Sequence, residues 1–132
     1  MEILSIIPAR GGSKGIKRKN IKPILDKPLV AYTIEASLKS KYITKTIVSS
    51  EDDEILEVSK KYGAQILKRP IELAQDETKT APVMLDVINE LEKENYKPDY
   101  VVLLQPTCPL RDEKYIDSAF EYYFENIKNG YD

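Results

Sequence analysis

Four short apolar runs, each followed by a stretch of helical period, constrain this chain more than any other feature of its sequence. Ile3 to Ile7 is closed by Pro8, Thr46 to Ser49 and Tyr100 to Leu104 have the same character, and Ala64 to Leu67 is a shorter version flanked by Gly63 and Lys68. Apolar runs of this kind, rich in β-branched residues, suit strands covered on both faces of a parallel sheet. The intervening segments carry a different spacing. Val30, Ile34 and Leu38 fall on one stripe of a helix from Leu29 to Leu38, with Pro28 where a first turn tolerates it. Ser50 and Asp53 have the spacing of a capping box ahead of a helix whose apolar face is Ile55, Val58 and Tyr62, ended by Gly63. Met84, Val87, Ile88 and Leu91 mark a third helix with Pro82 near its start, and Ile116, Ala119, Phe120, Tyr123 and Ile127 a fourth, capped by Asp112. The order β, loop, α, β, α, β, α, β, α predicts an α/β fold: a Rossmann-like, three-layer α/β/α arrangement on a mainly parallel sheet with right-handed crossovers.

With 132 residues the chain fits one domain. No apolar run approaches the ~20 residues a spanning helix needs, so no membrane partner is expected. Met1 to Pro8 carry Glu2 and neither a basic leader nor a small-residue cleavage site, so the segment does not read as a signal peptide and a cytoplasmic location is expected. Cys108 is the only cysteine, which excludes an internal disulfide, and histidine is absent. Any metal would therefore be a hard cation on oxygen ligands.

Ligands of open parallel sheets bind beyond the carboxyl ends of the strands, where strand order reverses. That directs attention to residues 8–23, 49–53, 68–80 and 105–111. The first of these segments reads Pro-Ala-Arg-Gly-Gly-Ser-Lys-Gly-Ile-Lys-Arg-Lys-Asn from Pro8 to Asn20, and between Arg10 and Lys22 it holds six cations (Arg10, Lys14, Lys17, Arg18, Lys19, Lys22) and no carboxylate. The net charge is −2, so the cluster suggests a local anion site rather than the broad basic face of a nucleic-acid binder. A solvated lysine-rich loop is the alternative. Gly11, Gly12 and Gly15 let backbone N–H groups converge on a phosphate, and Arg10, Lys14 and Lys19 would neutralise a polyphosphate. The spacing is neither that of a P-loop nor that of a dinucleotide-binding turn.

Ile7-Pro8-Ala9-Arg10-Gly11-Gly12-Ser13-Lys14-Gly15 followed by Lys19-Asn20 resembles the signature of the cytidylyltransferases that make CMP-activated nonulosonic acids, the CMP-sialic acid synthetase (acylneuraminate cytidylyltransferase) family. Val48-Ser49-Ser50-Glu51-Asp52, Arg69-Pro70 with Leu73 and Ala74, and Leu104-Gln105-Pro106-Thr107-Cys108-Pro109-Leu110-Arg111 resemble three further family segments in the same order. The resemblance implies CTP-binding positions at Arg10, Gly12, Ser13, Lys14, Lys19, Asn20 and Arg69, with Gln105 near both nucleotide and sugar. Arg10, Lys14 and Lys19 would stabilise charge in the transfer of CMP from CTP to a sialic-type sugar acid with release of pyrophosphate. Cys108 stands where the family usually has serine and reads as structural.

The resemblance also implies Mg²⁺, with ligands beyond residue 132, and a homodimer for the full-length protein. Family members are longer, so residues 1–132 are expected to be the nucleotide-binding part of such a domain, without the sugar-binding and dimerisation part, and inactive alone. Two alternatives remain open at this level: a non-catalytic nucleotide-binding module, and a sugar nucleotidyltransferase using another base or acceptor.

Overall fold

The computed structural model describes residues 1–11, 19–21, 23–70, 80–106 and 112–128. Four parallel strands form the sheet: β1 (Ile3–Pro8), β4 (Lys45–Ser50), β5 (Gln65–Lys68) and β6 (Tyr100–Leu103), in the spatial order β5-β4-β1-β6. Two minimal strands, β2 (Pro23–Ile24) and β3 (Lys27–Pro28), make a separate hairpin ahead of helix α1 (Leu29–Lys39). Helix α2 (Asp53–Lys61) joins β4 to β5, α3 (Thr80–Glu92) joins β5 to β6, and α4 (Glu113–Lys128) follows β6. The chain moves outward from β1 through β4 to β5, then crosses back to place β6 on the other side of β1. The strand order therefore reverses between β1 and β6.

β1 sits at the centre, hydrogen-bonded to β4 in the register Ile6↔Ile47 and to β6 in the register Ile6↔Leu103. Its residues are buried on both sides, as its unbroken apolar run predicts. Period-two alternation divides them between two cores. Ile7 and Val48 pack with Val30 and Ile34 of α1, Ile55 of α2 and Ile116 of α4, whereas Leu4, Ile6 and Ile47 pack with Val87 and Leu91 of α3. Three helices thus cover one face and α3 the other, which is the three-layer arrangement expected from the sequence.

The expected helix details are corrected at three places. Leu38 does not continue the stripe of Val30 and Ile34: it is 48% exposed at the end of α1, and the buried face runs instead through Thr33 and Ser37, whose hydroxyl bonds Thr46 across to β4 at 2.6 Å. Ser50 does not cap α2, because it still belongs to β4; Asp52 is the cap, its Oδ1 accepting from the N–H groups of Glu54 (2.9 Å) and Ile55 (3.1 Å). On α4, Asp112 caps as expected, accepting from the Tyr115 N–H at 3.0 Å, but only Ile116 of the apolar stripe is fully buried. Ala119, Tyr123 and Ile127 are exposed because β6 has no outer neighbour among the described residues, and the stripe overhangs the sheet. Beneath that overhang lies an apolar groove of about 450 Å³, lined by Tyr100, Val102, Tyr115, Phe120 and Tyr123 among others.

The hairpin was not foreseen, since two-residue strands carry no periodic signal. Leu25 at its tip takes a left-handed backbone (φ 61°), and the hairpin is fixed to α1 by the Tyr32 hydroxyl, which donates to the Ile24 carbonyl, and by Lys27 with Glu35 at 2.7 Å.

Candidate nucleotide site

Every segment that leaves a strand of the sheet at its carboxyl end does so on one edge of the molecule, because the four strands are parallel. The ladder continues one residue past the strands there: the Ala9 N–H donates to the Ser49 carbonyl, the Arg69 N–H to the Ser50 carbonyl and the Leu104 N–H to the Ile6 carbonyl, at 2.9, 2.9 and 3.0 Å. The backbones of Arg10, Glu51 and Arg69 are therefore held in adjacent rows. Gln105 emerges from β6 on the far side of β1 and is exposed. It stands three strand spacings from Arg69, roughly 14 Å.

Arg69 is the least expected of these side chains. Only 3% of it is exposed, and its Nε and Nη2 find no hydrogen-bond partner among the described residues. Burial lowers its pKa; the fields of Glu51 and Asp86 act against that shift and the field of Arg10 adds to it. Asp86 faces it from α3. Burial, with help from Glu90, raises the Asp86 pKa, while Arg69 and Lys93 oppose the rise, and its Oδ2 is likewise buried and unpartnered among the described residues. Buried polar atoms normally find partners, because leaving one unmade costs its full desolvation. A buried guanidinium with two open N–H directions is therefore a candidate donor for a ligand.

Asn20 completes the near side. It lies in a short 3₁₀ turn, Lys19–Ile21, is 3% exposed, and donates from Nδ2 to the Arg10 carbonyl at 2.9 Å. Its Oδ1 accepts nothing among the described residues. This bond ties together the two ends of the glycine-rich loop. At the loop's first residue, the Gly11 N–H points at the Glu51 carboxylate, 3.0 and 3.2 Å from its two oxygens. A Cβ on Gly11 would lie 2.5 Å from Asp52 Oδ2, so the glycine is required by close approach to the cap of α2.

Among the residues expected from the sequence, Arg10, Asn20 and Arg69 are thus brought to one edge, with Gln105 across the reversal point. Gly12, Ser13 and Lys14 lie outside the described residues, as does the side chain of Lys19. Sequence reasoning passed over Glu51, Asp52 and Asp86 as site residues. Glu51 and Asp52 were visible only as part of a motif, and the signal for Asp86 was an acid between Leu85 and Val87 on a largely apolar helix.

The fold is an α/β fold on a mainly parallel sheet, of the nucleotide-diphospho-sugar transferase type. Structurally it is similar to a CMP:2-keto-3-deoxy-manno-octonic acid synthetase solved in complex with CTP, with a TM-score of 0.80 over 95% of this chain and 48% of that one at 17% identity, a likeness of fold. The family model described as cytidylyltransferase matches residues 4–132. Two relatives are a pseudaminic acid cytidylyltransferase of Campylobacter jejuni, 41% identical over 127 residues, and an N-acylneuraminate cytidylyltransferase of Escherichia coli, 40% identical over 125. These matches cover 96% and 92% of this chain, and 55% and 28% of the relatives' lengths. The chain belongs to the cytidylyltransferase family, on the CMP-sialic acid synthetase-like branch whose members act as nucleotidyltransferases.

Proposed function

We propose that this chain provides the nucleotide-binding edge of a cytoplasmic enzyme that joins CMP from CTP to a nonulosonic sugar acid, of the pseudaminic or sialic type, and releases pyrophosphate. The observation that carries the reading is the buried Arg69 guanidinium, with open Nε and Nη2, at the same sheet edge as the cationic loop that starts at Arg10. A planar fork of donors suits the carbonyl oxygen of a pyrimidine or a ribose hydroxyl. The Asn20 Oδ1 adds an acceptor beside it.

In the transfer, the anomeric hydroxyl of the sugar acid attacks the α-phosphorus while negative charge moves to the departing pyrophosphate. Arg10, Lys14 and Lys19 stabilise that charge, and the fixed loop ends keep the reacting phosphorus in line. Gln105, on the other side of β1, meets nucleotide and sugar in this reading, which its exposure at the sheet edge supports. The described carboxylates do not fit a magnesium site: Glu51 is bonded to Gly11, Asp52 caps α2 and Asp86 faces Arg69, and no three potential ligands converge among the described residues. A homodimer belongs to the proposal for the full-length protein only. The chain spans about half the length of its Campylobacter relative.

Calorimetric titration of the chain with CTP, UTP, GTP and ATP tests the base assignment. CTP is expected to bind more tightly than ATP and GTP by at least about tenfold, the effect of one discriminating hydrogen bond. Equal affinities for all four would reduce the site to a phosphate site and overturn the cytidine reading.

A further inference from the structure

Period-two alternation sorts the side chains at the carboxyl edge of the sheet between its two faces. Ile47 and Leu67 pack with Val87 and Leu91 on the α3 face, so Ser49 and Arg69, two residues further along the same rows, stand on that face too. Lys68 between them reaches the other way, to Asp53 of α2 at 3.0 Å. On α3, Asp86 flanks the buried stripe of Val83, Val87 and Leu91, and its charge and that of Arg69 act on each other. Ser49 is fully buried and Arg69 nearly so. Ser49 Oγ, Arg69 Nε and Nη2, and Asp86 Oδ2 are all buried without a hydrogen-bond partner among the described residues. An acid and a guanidinium that sense each other, yet leave these atoms unbonded, leave them for another molecule to satisfy.

We propose that Asp86 separates CTP from UTP: its Oδ2 accepts from the exocyclic amine of cytosine while the open Arg69 nitrogens donate to ring N3 and carbonyl O2. The inference rests on reading this edge as a nucleotide site. The polar edge of cytosine presents a donor followed by two acceptors, and the open atoms of Asp86 and Arg69 supply an acceptor and two donors. Uracil carries a carbonyl where cytosine carries the amine, and an N–H where cytosine carries the bare nitrogen. With uracil a carboxylate oxygen would meet a carbonyl oxygen and a guanidinium N–H would meet a ring N–H, and both mismatches leave buried groups unpaired. The phosphates cannot produce this difference, since the two triphosphates are identical. Glu51 also acts on Arg69, but its carboxylate already accepts the Gly11 N–H, so the unused acceptor is that of Asp86. Ser49 Oγ, which can donate or accept, adds to the polar lining without choosing between the bases.

Calorimetric titration of wild type and Asp86→Asn with CTP, UTP and a CTP analogue that has hydrogen in place of the exocyclic amine tests this, with pyrophosphate as the control for the phosphates. Wild type is expected to bind CTP at least about tenfold more tightly than either UTP or the analogue, the loss of one charge-assisted hydrogen bond. The amide of Asp86→Asn can turn its oxygen or its nitrogen to the base. In that variant the preference should shrink to within roughly threefold, while pyrophosphate binds both proteins alike. The analogue needs no variant, so it decides the matter even if Asp86→Asn fails to fold. Equal wild-type affinity for CTP and the analogue would overturn the proposal, and so would an Asp86→Asn protein that keeps the wild-type preference. In either case weaker binding of ATP and GTP than of CTP would leave the nucleotide reading standing without Asp86. Equal binding of all four nucleotides, or of none, would remove the cytidine reading and this proposal together.

Discussion

At the scale of single residues, the tension in this molecule is concentrated at Arg69. The Arg-Pro step in the sequence singled it out as a candidate, but gave no sign of its burial. Nothing in a linear pattern says that a residue one place beyond a short, exposed strand will be buried and sense the charge of an acid on α3. The energetics follow from that cover. A buried guanidinium with two nitrogens open, repelled by Arg10 and offset by Glu51 and Asp86, depends on those carboxylates. Arg69→Met should therefore lower stability, leaving Asp86 with only Lys93 to offset its charge, and adding Asp86→Leu should restore on the order of 1 kcal/mol. Urea titrations of the two single variants and the double variant give the coupling. Strictly additive effects would show that the two charges do not sense each other.

Between β4 and α2 the informative unit is the element boundary. The sequence placed the strand and the helix correctly and chose the wrong cap, because Ser50 and Asp52 both stand near the start and only their backbone rows distinguish them. Ser50 is kept in the ladder by accepting the Arg69 N–H, so the cap falls to Asp52. That shift puts a carboxylate against Gly11 and joins two elements that the sequence presented as separate. Gly11→Ala should cost about 1–3 kcal/mol as an overpacked contact, and Asp52→Ala about 1 kcal/mol as a lost cap. The double variant should cost less than the sum, since removing the Asp52 carboxylate takes away the contacts at 2.5 and 3.0 Å and leaves only that with the Asp52 Cβ at 2.9 Å. Equilibrium unfolding of all four proteins in the cycle checks it, and a double variant at the plain sum would mean that the close approach does not constrain Gly11. The hairpin of β2 and β3 escaped the sequence for a different reason: its strands are too short to have a period, and what holds it is Tyr32 and Glu35 on the following helix.

Over the whole molecule, the order and type of the main elements were readable because the strands are buried on both faces and the helices on one. The lateral order of the strands was not, since periodicity says which residues are buried and nothing about which strand lies beside which. Among the described residues, β6 lies at the margin with an apolar groove under α4, rimmed by exposed Tyr115 and Tyr123. An open edge beside apolar surface favours association. The chain should elute from a sizing column earlier as its concentration rises, and Tyr123→Glu should suppress the shift; elution independent of concentration would show that the groove is inert. The central place of β1 has a consequence of another kind, for the order of events in synthesis. This strand is made first, yet its partners come late: β4 begins at Lys45, and Glu2 meets Asp99 across a separation of 97 residues. Synthesis must run on from Pro8 to Tyr100 before the second flank of β1 can be covered, so the nascent protein carries this apolar strand half-clothed through that whole stretch of translation.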